Sequence, residues 1–531
     1  MQQDNTDKVT RLVVFAFWSV VLVGLPFWWK TTEVYRASLP FDEIDTRYQK
    51  QACDFVMPTQ LTIFVPPQLN KQEQIISDIK RQLSTHSRYK DQFPIDILIK
   101  EWIGDVVEGH DEAPIGDYFI YVNQAEKDTL YVGSERSSQL SIKDMTLDRV
   151  TKAIATLITP IYLNKQENLG NIACHVEGTN KNDVASMRAL KYSSQYGATI
   201  SLMNNNPEHM RMDWDIRDAI NAYFTPFIKA VSTVSNLTIT SQIQNYAPLS
   251  LKPKYKEREG KPNYYYFEPQ HLPHFVNSAE WNLASTITSY PSIHFILYVP
   301  SADESPLRIH DAKGQPLLTS AFLIPRWGSV VIKNPPRNAT GEYRFTKQDL
   351  QPIIKIFVSQ LRSLIGVQDM ESHVPKQLVH DYQVTFAPAT HTGITTLEKD
   401  NLIRTRTLEN VVNTISTLKS LAQLVDEIPN MVVQDHISDK VHHSLNALDL
   451  VDTALRKRDY LNALQNSIEA IELAEKAFFD PTMVSMLYFP DEHKYAIYMP
   501  LFVPISVPLM MALLKEIKKL KQAKTLKQKE E

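Results

Sequence analysis

Two stretches, one near each end, break the ordinary mix of apolar and polar positions along the chain. Leu12 to Trp29 (LVVFAFWSVVLVGLPFWW) runs without a charge between Arg11 and Lys30. As a helix it is about 27 Å long, enough for a thin bilayer core. Trp28 and Trp29 stand at its end, where amphipathic rings favour the headgroup layer. A secretory signal would need small residues before its cleavage site. Phe27-Trp28-Trp29 is too bulky, and Tyr35 spoils a site after Ala37. The second run is Tyr495 to Leu514 (YAIYMPLFVPISVPLMMALL), again uncharged and followed by a lysine-rich tail. Its Pro500, Pro504 and Pro508 drift by only about 40° per step around a helix. Each removes a backbone donor. The freed carbonyls cannot face lipid unsatisfied, so this face is expected to pack against another protein segment in the membrane.

Between the runs, short β-branched and aromatic stretches alternate with helical periodicity. Leu61–Val65, Ile95–Ile99, Tyr118–Val122, Ile293–Val299 and Ser329–Ile332 read as strands. Glu73–Leu83, Asp215–Val231 (with a kink expected at Pro226) and Gln348–Leu364 read as helices. Strands interleaved with helices predict a mixed α/β or α+β core. From about 395 the texture becomes wholly helical. Leu408 to Val425 forms one apolar stripe ending before Pro429, Val441 to Leu455 a second and Leu464 to Phe478 a third. The charged link Arg456–Asp459 predicts that the last two helices form an antiparallel hairpin, and Asp480-Pro481 stops the third.

The 531 residues are 43% hydrophobic and 22% charged, values of a chain that can bury cores and too long for one ordinary domain. The net charge of −4 argues against a globally basic nucleic-acid binder, and only 14 glycines leave little material for phosphate loops. The charge is unevenly placed. The tail 515–531 carries seven lysines and three glutamates, so it is positive, and positive flanks favour the cytosolic side. Two spans then put both ends there. The expected order is a cytosolic 1–11, a transmembrane helix 12–29, a mixed α/β domain 30–394, a helical subdomain 395–494 leading back to the membrane, a second transmembrane helix 495–514, and the basic cytosolic tail 515–531. The sequons at Asn236 and Asn338 fall in the large loop between the spans, as glycosylation in an endoplasmic reticulum lumen requires. Lys527 and Lys529 lie five and three residues from the end, the pattern of a dilysine retrieval signal. Cys53 and Cys174 could pair in an oxidising lumen or stay as free buried thiols; the sequence leaves both open.

Motifs with catalytic spacing are missing: there is no GxSxG, HExxH, P-loop or CxxC. Cys174-His175 is adjacent in sequence, whereas strand neighbours point to opposite faces. His271 and His274, and His442 and His443, lack the i,i+4 spacing of ligands on one helix face. Asp213, Asp215 and Asp218 could be a carboxylate cluster, but acids at a helix start are explained by the dipole. Lys252, Lys254, Lys256, Arg258 and Lys261 precede Tyr264-Tyr265-Tyr266-Phe267, a basic and aromatic mixture interrupted by Glu257 and Glu259. A solvated loop running into a strand is the plainer account, with a contact for anionic glycolipid heads behind it.

Four segments together resemble the PIG-S family: GLPFWWKTTEVYRASLP (Gly24–Pro40), AFFDPTMVSMLYFPDEHKYAIYMPLFVP (Ala477–Pro504), SPLRIHDAKGQPLLTSAFLIPRWGSVVIKN (Ser305–Asn334) and YGATISLMNNNPEHMRMDWDI (Tyr196–Ile216). The likeness runs through nearly the whole chain and is least over 41–190. It implies a subunit of the glycosylphosphatidylinositol (GPI) transamidase of the endoplasmic reticulum membrane. That complex removes a C-terminal signal from a precursor protein and joins the new carboxyl end to the ethanolamine of a GPI lipid. The resemblance also implies that the nucleophilic cysteine sits in a separate caspase-like, PIG-K-type subunit. It implies further partners of GPAA, PIG-T and PIG-U type, no cofactor, no metal, and no catalytic residue in this chain. The competing readings are a lumenal hydrolase built on Cys174 or on scattered Asp and His residues, and a lumenal substrate receptor or chaperone with an exposed apolar groove.

Overall fold

The computed structural model describes residues 2–32, 35–69, 71–84, 89, 91–103, 110, 112–158, 161–162, 164–174, 189–277, 280–281, 283, 290–336, 341–428, 431–485 and 491–530. His175, Asn338 and Pro429 lie outside them. The chain forms two compact units, each discontinuous in sequence. One comprises Lys50–Asn413 and Ala447–Glu469, the other Met1–Gln49, Thr414–Asn446 and Ala470–Glu531.

The first unit is mixed α/β. Its strands in chain order are β1 (Thr59–Val65), β2 (Ile95–Glu101), β3 (Asp117–Gln124), β4 (Thr129–Val132), β5 (Ser137–Ile142), β6 (Gln195–Asn204), β7 (Met210–Trp214), β8 (Asn236–Asn245), β9 (Lys254–Lys256), β10 (Tyr264–Phe267), β11 (Ser292–Val299), β12 (Leu307–Ile309), β13 (Ala321–Ile324), β14 (Gly328–Ile332), β15 (Gly341–Phe345) and β16 (Val384–Phe386). The first sheet has the order β16-β4-β5-β3-β1-β2, with β5, β3, β1 and β2 parallel. Parallel neighbours need crossovers, and the helices Gln72–Ser84 and Leu147–Ile158 supply apolar stripes for them. Ile75, Ile79, Val150 and Ile154 bury against Leu61, Ile63, Ile120 and Leu140 of the sheet.

The second sheet has the order β13-β14-β11-β6-β8 and is parallel except for β13. Its central strands β6 and β11 are buried along nearly their whole length. At the start of β14, Gly328 meets the main chain of β11 so closely that a Cβ would lie 1.9 Å from the His294 carbonyl oxygen. Only glycine permits that approach. The helix after β7 is not a simple α-helix. A π-turn, Ile220–Phe224, separates Ile216–Ala219 from Thr225–Val231. Pro226 lies in the first turn of the last segment, where its missing N–H costs least. The helix Lys347–Leu364 starts with a capping box of Thr346 and Asp349. A small sheet, β12-β10-β9, and the pair β15-β7 complete the strands.

Three long helices, Thr396–Glu427, Asp435–Arg456 and Tyr460–Phe478, form the C-terminal helical region, and the last two follow one another through a short turn at Lys457–Asp459. Arg458 takes a positive φ in that turn and reaches Asp117 at 2.8 Å and Gln60 at 2.6 Å. The first of these helices brings charge into the α/β core. Asp400, fully buried, receives two hydrogen bonds from Arg136, at 2.7 and 2.8 Å, while Arg136 donates a third to the Ala113 carbonyl. Cys53 and Cys174 are joined in a disulfide across 121 residues of sequence.

Removing one partner of a buried ion pair strands the other. Asp400→Ala is therefore expected to destabilise the chain by about 3–5 kcal/mol in denaturant unfolding. Cys53→Ser, which releases a long closed loop, should cost about 2–5 kcal/mol in the same measurement.

Candidate functional site

The second unit contains the segments that flank both uncharged runs. The first helix, Gln2–Thr32, and the last, Asp491–Glu530, pack on each other. Arg11 Nε donates to Glu516 Oε2 at 3.1 Å. Arg11 directly precedes the first run and Glu516 closely follows the second. The pair therefore brings corresponding ends of the two runs together. Phe15, Val20, Ile505 and Met511 are all exposed on these helices. Among the described residues no helix is long and apolar enough to cross a membrane. The side chains of Trp28, Trp29 and Leu501 lie outside the described residues, so each run is described only in part.

Beyond the first helix the chain is strapped to the C-terminal helices. Arg36 donates to the carbonyls of Val425 and Ile428, the latter at 3.2 Å. They lie at the C-terminal end of Thr396–Glu427, where helix carbonyls run out of intrahelical donors and a cation opposes the negative end of the dipole; Ile428 also accepts from the Met431 N–H. Arg36 and Val433 form a parallel bridge, with Ala37 N–H donating to the Val433 carbonyl at 2.8 Å. On either side, Tyr35 donates its hydroxyl to Asp435 at 2.6 Å and Ser438 donates to the Ser38 carbonyl at 2.7 Å. The bond to the Asp435 carboxylate holds the Tyr35 phenol above its ordinary pKa. Ile44 is buried one turn later, and Lys419 reaches Asp45 at 2.7 Å.

A carboxylate closes the other end of this unit. Asp480, after the helix Tyr460–Phe478, accepts from Lys440 at 2.9 Å, His436 at 2.8 Å and the Thr482 hydroxyl at 2.7 Å. Burial pushes its pKa upward, but the Lys440, Thr482 and His436 hydrogen bonds outweigh that and hold the carboxyl well below the usual range.

The other candidates disperse. Cys174 is held in the disulfide and offers no thiolate. Asp213 lies in β7 and Asp215 just after it, and both face Arg344 of β15, at 3.3 and 2.7 Å. Asp215 makes no side-chain cap, so the local dipole is not what accounts for these acids; a parallel neighbour strand is. Asp218 remains in the first turn of the helix. His271 and His274 fall in a 3₁₀ turn, and His443 bonds the Asp439 carbonyl one turn back. Among the described residues, no group of three His, Cys, Asp or Glu side chains is placed to hold a metal. A cleft of 710 Å³ in the α/β unit runs between the π-turn and residues 387–395. In its lining Arg362 occupies both acids, Asp369 at 2.5 Å and Glu398 at 2.8 Å. Asn236 is exposed at the start of β8, and Pro500, Pro504 and Pro508 are exposed along the last helix. Lys527 and Lys529 belong to that helix, their side chains outside the described residues.

The family model described as phosphatidylinositol-glycan biosynthesis class S protein matches residues 15–523. The chain belongs to the PIG-S family. A Bos taurus protein named GPI-anchor transamidase component PIGS is 32% identical over 537 residues, 95% of this chain and 94% of its own. The Homo sapiens protein of the same name is 31% identical with the same coverage. A Schizosaccharomyces pombe GPI transamidase component PIG-S homolog is 28% identical over 97% of this chain and 86% of its own. Of the four segments that carry the family resemblance, Gly24–Pro40 and Ala477–Pro504 lie in the second unit; Arg36 and Asp480 belong to them. Sequence reasoning found the segments but not the strap, because nothing in the local pattern pairs residue 36 with residue 425.

Two predictions follow from the geometry. Arg36→Ala should speed amide exchange around 425–438 about tenfold, matching loss of roughly 1.5 kcal/mol of charged hydrogen bonding. Asp480 has a depressed pKa in the fold, so its contribution is complete above the ordinary carboxylate range and is lost as pH falls through and below it. Unfolding scans from about pH 5 downward should show a steeper loss for the wild type than for Asp480→Asn.

Proposed function

We propose that this chain is a non-catalytic structural subunit of a GPI transamidase complex in the endoplasmic reticulum membrane. The observation that supports it is likeness to relatives named as transamidase components over nearly the whole chain, with a family match from residue 15 to residue 523. In this reading 12–29 and 495–514 are spans and both termini are cytosolic. Residues 30–394 form a lumenal α/β domain, and 395–494 a lumenal helical subdomain returning to the membrane. The support is physical. Two adjacent helices expose large apolar side chains that water would penalise, and the Arg11–Glu516 pair sets the ends of both runs at one level.

The catalytic cysteine belongs to a caspase-like PIG-K-type subunit. GPAA-, PIG-T- and PIG-U-type subunits complete the complex, and precursor protein and GPI lipid are its substrates. What favours an accessory role over a hydrolase is the fate of the candidates. The one cysteine beside a histidine is oxidised, and the paired aspartates are neutralised by arginine. The exposed proline face of the second span packs against a partner's membrane segment. Asn236 and Asn338 carry glycans, and Lys527 and Lys529 act in retrieval.

The direct test is a pull-down from gentle detergent through a tag on the N-terminus, with mass spectrometry of the recovered proteins. A caspase-like protease with several multispan partners is the expected catch; this chain alone, from detergent that preserves the complex, would sink the reading. Replacing Pro500, Pro504 and Pro508 together by leucine should reduce recovery of partners, and full recovery would remove the proline face from the interface. Endoglycosidase treatment should shift the chain by two glycans, one lost in each of Asn236→Gln and Asn338→Gln. No shift would place the large loop on the wrong side of the membrane.

A further inference from the structure

The basic and aromatic stretch around residues 252–267 is not used by a scaffold role. In the fold it supplies β9 and β10, and β10 is flanked on its other side by β12. Register fixes the faces. Tyr264 pairs with Lys256, and Tyr266 pairs with Lys254 on one side and Arg308 on the other. Alternate residues share a face, so these five side chains share one. Phe267, Leu307 and Ile309 turn the other way, into the core of the second sheet. Arg308 comes from a strand forty residues on, which no reading of the basic stretch alone could include.

Two guanidinium groups close on a single ring. Arg258 Cζ lies 4.8 Å and Arg308 Cζ 5.2 Å from the centroid of Tyr264, whose ring is buried. The Tyr264 hydroxyl is 3.0 Å from His310 Nε2, and His310 stacks on the partly exposed Tyr266 at 4.0 Å. Burial and the neighbouring Lys256 hold His310 below its ordinary pKa, so a neutral ring supports Tyr266 from beneath. Lys254 is neutralised by Glu268 at 2.9 Å. Arg258 gives two of its nitrogens to the Pro262 carbonyl, which balances no charge. Among the described residues, Lys256, Arg258 and Arg308 have no carboxylate partner, and the half-buried Arg308 guanidinium has no acceptor.

Two guanidinium groups on one ring, with Lys256 as the ring's cross-strand neighbour, repel one another unless an anion joins them. Arg258 has one edge on the Pro262 carbonyl and keeps its Nη1, while Arg308 can offer a bidentate edge to an acceptor. A phosphate monoester concentrates nearly two charges and three acceptor oxygens at one point, whereas an acidic peptide spreads single charges along its length. We infer that this face binds a phosphate ester carried on a sugar, the cations taking the phosphate and the partly exposed Tyr266 ring, backed by the buried His310, meeting the apolar side of the sugar ring. This does not rest on the scaffold role.

The test is calorimetric titration of the full chain in detergent at low ionic strength, with glucose 6-phosphate, glucose, inorganic phosphate and a decaglutamate peptide as probes. Saturable binding of glucose 6-phosphate, tighter than phosphate and with none for glucose, is expected. Arg308→Gln and Arg258→Gln should each weaken it at least about tenfold, the loss of one charged hydrogen-bonding partner, and Arg308→Lys less. Lys256→Gln, exposed on the face, serves as a third variant should either arginine change lower the melting temperature. No binding by the wild type, equal affinity in the variants, phosphate binding as well as the sugar phosphate, or decaglutamate binding as tightly would each overturn the inference.

Discussion

The carbonyl end of a helix needs partners, and in this chain the partner is Arg36, more than 380 residues earlier in sequence. The chain that leaves the first uncharged run must pass the end of the helix Thr396–Glu427 before it can go anywhere else. Once Arg36 sits on Val425 and Ile428, the backbone of 35–38 is held against 433–438 by a bridge and two side-chain bonds. Asp480 binds the next helix turn through Lys440 and His436 just before the chain enters its last helix. Both segments belong to the folded unit in which the first and last helices meet.

The terminal runs and the long helices were legible because their signals are local. Eighteen uncharged residues, or an apolar stripe of seven positions, need no knowledge of distant chain. The strands at Leu61, Ile95, Tyr118, Ile293 and Ser329 were legible for the same reason. The central strand β6 was not. QYGATISLMN contains glycine, serine, threonine and asparagine, yet almost all of it is buried. A strand covered on both faces and paired on both sides shows no alternation, and its polar groups are satisfied by neighbours the sequence does not reveal: Thr199 by Thr240, Ser201 by Gln242 and Asn204 by the Met210 carbonyl. The aspartates at 213 and 215 misled in the opposite way. Acids before a helix have a sufficient local explanation, whereas their actual partner, Arg344, arrives on a parallel strand.

Polar groups inside the helical region follow one rule. Arg136 and Asp400 pair, Asn410 donates to Ser467, and Ser444 donates to the Ala470 carbonyl, all buried. Arg404 is also buried, 5.6 Å above the ring of Tyr460, with Nε and one terminal nitrogen lacking a partner. Burying such groups is costly unless they are matched. A sequence selected for stability alone would place leucine at several of these positions.

A component of a complex must be rigid where it is held and specific where it touches, and the two demands fall on different parts of this chain. Rigidity near the chain ends comes from capping bonds and buried pairs, which have only one geometry. Contact chemistry is found where charges are left uncompensated, and the face around Tyr264 is such a place. Lys254 has its glutamate, but among the described residues three nearby cations have no carboxylate partner. Glu257 and Glu259 stand close in sequence and could have neutralised them. Among the described residues, neither forms an ion pair with them. The charge is therefore unmatched by the fold itself, and a ligand that matches it gains the hydrogen bonds that the protein has left open.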